Sequence, residues 1–227
     1  MTPVFRTALA AALAAALAAC ASHPPVPGWQ LNAQGAALRA TEAYLAGQQR
    51  VEQLEWARAR AEVARTGRPG LLARLELVRC AAQVASLALQ PPVCERFEAL
   101  RADADAPERA YADYLAGHPV LQAALLPEAH RAVLAAGSDP GPALAGIADP
   151  LARLVAAGAL LQAGRAGPAT MDQAIETASA QGWRRPLLAW LLAAVRRAEQ
   201  AGDVQEAARL RRRVAVVEGA DLAADPR

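Results

Sequence analysis

The sequence predicts an all-α protein assembled from antiparallel helical hairpins. Three observations carry that expectation. The apolar mass is mostly alanine and leucine, both strong helix formers; hydrophobic residues are 54% of the chain and aromatic ones only 4%. β-branched and aromatic residues, which strands favour, are scarce outside a few valines. Helix start and stop signals recur from one end of the chain to the other. The 227 residues suit one domain or two small ones.

The first element is a leader. In MTPVFRTALAAALAAALAAC, Arg6 supplies a positive n-region, and Thr7 to Ala19 is a charge-free run of 13 residues. A bilayer-spanning helix needs roughly 20 residues, and the run has the length of a signal-peptide h-region instead. It ends in Leu17-Ala18-Ala19-Cys20. That ending resembles the lipobox of bacterial lipoproteins: leucine, two small residues and a cysteine. The resemblance covers only the leader. It implies a signal peptide over 1–19 and a Cys20 joined by a thioether to diacylglycerol, then N-acylated. Each buried methylene contributes about 0.8 kcal/mol, so several acyl chains make a stable membrane anchor. Ala21, where an aspartate tends to retain lipoproteins in the inner membrane, implies the outer membrane facing the periplasm.

Residues 20–30 read as the lipidated N-terminus and its tether, because His23-Pro24-Pro25-Val26-Pro27-Gly28 is extended and proline-rich. His23 reads as solvated. Residues 31–137 form an N-terminal helical region. Its first element is a charge-rich helix over 32–65, about 50 Å long if unbroken. It has an apolar stripe at Leu38, Tyr44, Leu45, Val51, Leu54 and Ala61, and a kink is possible at Gly47. Gly67-Arg68-Pro69-Gly70 is a turn. Further helices are expected over 71–89, 93–102 and 105–117, the last with Asp105 and Glu108 as a capping box. Two short ones follow over 119–126 and 127–136. Residues 138–148 are irregular and mark a possible division into subdomains.

The C-terminal region, 149–219, is the best patterned. Asp149-Pro150 opens a helix that runs to Gly164. Thr170 and Gln173 form a second capping box, and Gly182 closes that helix. Pro186 starts a third, which Gly202 ends. Asp203 and Glu206 start a fourth, ending at Gly219. Four helices with short turns make two hairpins. Leu160-Leu161-Gln162-Ala163-Gly164 with Ala174, and Ala198-Glu199-Gln200-Ala201-Gly202 with Ala207, resemble tetratricopeptide repeats. The Gln-Ala-Gly triplets lie 38 residues apart, against about 34 in that family. The resemblance covers about 70 residues without the complete repeat signature. It implies a stacked helical array with a concave face that binds peptide or protein.

Cys80 and Cys94 remain in the mature chain, and cysteines in an oxidising periplasm most often pair. Leu77, Cys80, Val84 and Leu87 share a helix face, and Pro91-Pro92 lets the chain turn back. A disulfide there would stabilise by roughly 3 kcal/mol in the chain-entropy model. Two buried free thiols or a redox pair are the alternatives. No histidine lies at zinc-ligand spacing from either cysteine, so no metal is expected.

No catalytic constellation is legible. Besides His23 there are His118, before Pro119 at a helix boundary, and His130, not on one helix face with Glu128. Ser86, Ser138 and Ser179 lie outside any Gly-x-Ser-x-Gly elbow. There is no phosphate loop or dinucleotide fingerprint, so neither catalytic residues nor a cofactor are expected. The chain has no lysine; all 24 basic residues are arginine, and the net charge is only +2. This balance argues against nucleic acid as a partner. Arg184, Arg185, Arg196, Arg197, Arg209, Arg211, Arg212 and Arg213 form a concentration with two readings. They are solvated helix faces, or a basic surface for an envelope protein, lipopolysaccharide phosphate or phospholipid headgroup. Trp183 and Trp190, seven apart, suit a core role ahead of a stacking platform. The expectation is an envelope-anchored, non-catalytic interaction or assembly module. The alternative is a binder of a small or lipidic ligand in a groove between helices.

Overall fold

The computed structural model describes residues 25–219; the leader, Cys20 and His23 lie outside them. All regular structure among the described residues is helical, in eleven α-helices with two short 3-10 turns and no strand.

Helix α1 (Gly28–Ala46) begins directly after Pro27, whose extended backbone (φ −57°, ψ 139°) ends the proline-rich approach. The tether therefore stops at Pro27 rather than reaching residue 30. The expected single helix over 32–65 is a hairpin: α1 ends at Ala46, and α2 (Gln49–Ala64) returns along it. Gly47 takes a left-handed backbone, φ +82°. Its N–H donates to the Tyr44 carbonyl at 3.0 Å, and the Gln48 N–H donates to the Ala43 carbonyl at 2.7 Å. This closure satisfies the last carbonyls of α1 and reverses the chain.

The hairpin closes through small residues. Ala33, Ala36, Ala37 and Ala40 of α1 pack with Trp56, Ala59 and Val63 of α2. Methyl side chains let two helices approach closely, so the alanine row is the buried one. The apolar stripe foreseen along this stretch is split. Tyr44 and Leu45 are buried, whereas Leu38 is 61% exposed and Leu54 is 52% exposed, with Val51 and Ala61 also exposed.

Helix α3 (Pro69–Ala85) carries Cys80 on its inner face. Cys80 is disulfide-bonded to Cys94, with Cα atoms 5.2 Å apart. After Cys94 the helix expected over 93–102 is broken into α4 (Glu95–Glu98) and a 3-10 turn at Arg101–Asp103. Helix α5 (Ala106–Leu115) starts where foreseen, but the Asp105 side chain makes no cap hydrogen bond. Glu108 is instead buried and accepts a hydrogen bond from Arg74 of α3 at 2.7 Å.

That pairing recurs. Glu55 of α2 accepts from Arg39 of α1 at 3.0 Å, and Glu76 of α3 accepts from Arg60 of α2. All three carboxylates are buried. A buried carboxylate without a partner is strongly destabilising, so each arginine fixes which helix lies next to which.

The helix expected over 119–126 is reduced to a 3-10 turn at Ala123–Leu125. Helix α6 (Glu128–Ala135) and the short α7 (Gly141–Ala145) follow. The last four helices are α8 (Pro150–Gln162), α9 (Pro168–Ala180), α10 (Arg184–Gln200) and α11 (Val204–Glu218). Asp149 caps α8 by accepting from the Ala152 N–H at 2.6 Å. Asp203 caps α11 by accepting from the Glu206 N–H at 2.9 Å. The Thr170–Gln173 capping box does not form. Pro168 begins α9 earlier, Thr170 is buried, and the Gln173 amide donates to the Gly141 carbonyl at 3.2 Å. Arg153 near the start of α8 meets Thr177 near the end of α9 at 3.4 Å. Arg184 at the start of α10 donates to the Val217 carbonyl near the end of α11 at 3.2 Å. Both pairs of helices are therefore antiparallel.

In a repeat array each unit touches only its neighbours in sequence. Here α8 packs on α3, far away in the chain. One buried cluster runs from Ala73 of α3 to Val214 of α11, so residues 138–148 do not separate two cores. The crossing of α3 and α8 is made at Gly158. A Cβ there would meet the Val84 carbonyl oxygen, with Val84 Cγ1 at 2.8 Å and Val84 C at 2.9 Å. Alanine favours a helix over glycine by about 1 kcal/mol, but overpacking against backbone costs about 3 kcal/mol. Gly158→Ala should therefore destabilise by about 2 kcal/mol in urea unfolding. Gly35→Ala is the contrast, because its Cβ meets only the far end of the Arg39 side chain, at 3.3 Å, and no backbone. It should stabilise by up to about 1 kcal/mol. The same sign for both would refute the close crossing.

Candidate functional site

The eight arginines do not form one surface. Arg185 reaches away from the C-terminal hairpin to α1. Its Nε donates to the Tyr44 carbonyl at 2.7 Å, its guanidinium lies 4.3 Å from the Tyr44 ring centroid, and Glu52 is 3.8 Å away. A cation at the carbonyl end of a helix is favourable, and this one ties α10 to the first hairpin. Arg184 is held by the Val217 carbonyl. Arg209 pairs with Glu206 at 2.6 Å on its own helix, and Arg211 pairs with Glu199 across the hairpin. Arg196, Arg197 and Arg212 are exposed and Arg213 half-buried; none of the four makes an ion pair among the described residues. Sequence proximity grouped these side chains, but acidic and carbonyl partners on other helical turns divide them.

Trp190 is completely buried, and its indole N–H donates to the Ala85 carbonyl at 3.0 Å. Trp183, directly before α10, is half-buried against Tyr44, Leu45 and Ala82. Both serve the packing of α10 on α1 and α3.

The histidines sit apart from one another in character. His118 is exposed, with Nδ1 3.9 Å from Asp113 Oδ1. His130 is 3% exposed and lies beside the Tyr111 and Tyr114 rings, with centroids at 5.7 and 5.2 Å. Its Nδ1 has no hydrogen-bond partner among the described residues. Burial lowers its pKa to about 4, against a small opposing effect from Asp149. Burial likewise raises the hydroxyls of Tyr111 and Tyr114 above the usual tyrosine range. Of the serines, Ser86 is buried, while Ser138 and Ser179 are exposed. No cluster of three or more metal-ligating side chains occurs among the described residues. No helix among them is long and apolar enough to cross a membrane.

Three features of the first hairpin were not foreseen. Leu31 and Leu38, seven apart on α1, face solvent, as do Val51 and Leu54 on α2. A groove of about 350 Å³ runs between α1 and α3, lined by Trp29, Ala33, Ala37, Leu71, Leu75 and Val78 among others. A recess at the N-terminal end of α1 is lined by Gly28, Trp29, Asn32, Arg65, Thr66 and Arg68. The leucine stripe was visible in the sequence; its periodicity did not say which way it faces. The groove and recess join residues more than thirty positions apart, and no local pattern announces them. No family model, curated protein or solved structure matches this chain.

Proposed function

We propose that this protein is a lipid-anchored, non-catalytic interaction module of the bacterial cell envelope, held to the outer membrane through Cys20 and facing the periplasm. The observation that carries the interaction reading is the unpartnered apolar stripe of the first hairpin. Leu31 and Leu38 on α1, with Val51 and Leu54 on α2, are large side chains at helical spacing turned to solvent. Large apolar side chains left on a surface supply the area that protein or lipid contact sites use. An envelope protein presenting an apolar helix face suits such a stripe. Arg196, Arg197 and Arg212 remain available on the C-terminal hairpin as a secondary, anion-facing contact. The anchor reading is supported by Leu17-Ala18-Ala19-Cys20 at the end of a charge-free run, and by the prolines that follow.

A second reading, a binder of a small apolar ligand, is supported by the groove between α1 and α3. Its volume of about 350 Å³ lies in the range of small-molecule sites.

Two measurements test the proposal. Cys20→Ala should abolish lipid labelling and move the protein from the membrane to the soluble periplasmic fraction; unchanged fractionation refutes the anchor. A photo-crosslinking residue at position 38 or 54 should give one discrete protein adduct in living cells, absent from the same residue at exposed position 121. Adducts of equal pattern at all three positions would end the interaction reading.

A further inference from the structure

We propose that the tether end of the α1–α2 hairpin is a docking surface for an anionic phospholipid bilayer, so that the domain lies against the membrane to which it is anchored. The inference rests on the anchored reading above and adds an orientation and a lipid chemistry to it.

The two ends of the hairpin differ. At the Gly47 end, Tyr44 and Leu45 are covered by Trp183 and Arg185 of the C-terminal helices. At the opposite end, where the chain enters from the tether, apolar side chains stand exposed among the described residues. Val26 is 50% exposed there and Leu31 55%. Trp29, in the first turn of α1, is half-exposed and lines the recess. An indole combines an apolar body with one polar N–H, which suits the boundary between headgroups and acyl chains.

The charge at this end has one sign within the recess. Arg65 and Arg68 line it with Asn32 and Thr66, and no carboxylate does. Arg65 shares its charge with Glu62 at 3.1 Å, an exposed pair that solvent weakens. Arg68 makes no ion pair among the described residues. Arginine pairs well with phosphate through its planar fork, and its methylene stem reaches along apolar surface while the head stays at the polar layer.

The tether brings this surface to the membrane. Cys20 is nine residues before Trp29. Nine residues of chain span at most about 32 Å whatever their conformation, so the recess lies within that reach of the anchored atom. Among the described residues, the exposed side chains of this end include those nearest in sequence to Cys20. Anionic headgroups attract basic residues held near the surface, so phosphatidylglycerol is the fitting partner rather than a neutral lipid.

The test uses the chain from Cys20 onward, with Cys20 coupled to a maleimide-bearing lipid in vesicles, so that cellular lipidation plays no part. Of three cysteines, two are in the disulfide, which leaves Cys20 as the free thiol. The vesicles are phosphatidylglycerol with brominated acyl chains, which quench nearby tryptophan emission. Trp29 is one of four tryptophans, so the native chain should lose about a quarter more emission than Trp29→Phe. The difference should shrink in brominated phosphatidylcholine and in Arg65→Gln/Arg68→Gln. Matching helical melting curves for all variants exclude unfolding. Equal quenching of the native chain and Trp29→Phe in phosphatidylglycerol overturns the proposal. The mass of the N-terminal peptide from cells reports the anchor separately: an unlipidated Cys20 with Trp29 quenched in vesicles rejects the anchor alone, and a lipidated Cys20 with Trp29 unquenched rejects the docking surface alone.

Discussion

Trp190→Ala should lower the stability of the folded chain by about 4 kcal/mol, the largest effect expected of any single substitution considered. The indole is fully buried where α10 meets α3, and its N–H is bonded to the Ala85 carbonyl at 3.0 Å. Ala85 is the last residue of α3, where carbonyls have no partner within their own helix. Truncation therefore leaves both a cavity and an unsatisfied acceptor. Trp190→Phe separates the two: it keeps most of the volume and loses the hydrogen bond, at about 1–2 kcal/mol. Urea unfolding followed by circular dichroism reads both. A loss under about 1 kcal/mol for Trp190→Ala would mean that α10 is not seated on α3.

Acidification should destabilise the protein through His130 by about 3 kcal/mol at pH 4. The folded-state pKa, about 4, lies below the reference value of 6.5. As pH falls below 6.5 the unfolded chain takes up a proton that the buried imidazole refuses. Stability is therefore complete above pH 6.5 and falls by nearly 1.4 kcal/mol per unit toward pH 4. Between pH 6.5 and 5, before carboxylates titrate appreciably, the loss is about 2 kcal/mol. In His130→Phe this part of the slope should vanish, because phenylalanine fills a similar space beside Tyr111 and Tyr114 and carries no proton. A native profile flat from pH 6.5 to 5, or a slope that survives in His130→Phe, would show that His130 is not held neutral.

Neither effect was legible in full. The apolar character of Trp190's position follows from its helix, but its acceptor is 105 residues away. His130 stood next to Glu128 in a helix opening, and nothing local signalled burial between two tyrosines. The same division runs through the candidate surfaces. Eight arginines within thirty residues read either as solvated helix faces or as one basic surface; Arg185 is a strut to Tyr44, and Arg209 and Arg211 pair with glutamates. Glycine 47 read as a kink because helical periodicity on its two sides is the same whether the chain continues or reverses.

The amino-acid sequence by itself determined what short-range forces decide. Alanine and leucine content set the helical class, and Asp149 and Asp203 set two helix starts through bonds spanning three residues. Cys80 and Cys94 were expected to pair, with free thiols or a redox pair as the alternatives, and they are disulfide-bonded. Tertiary structure alone decided which helix face is inside. On α1 the alanines are buried and Leu38 is not, because small side chains allow the close approach that Trp56 and Ala59 complete. Burial depends on the surface a neighbour offers, and α3 and α8 pack on each other although they lie far apart in the chain.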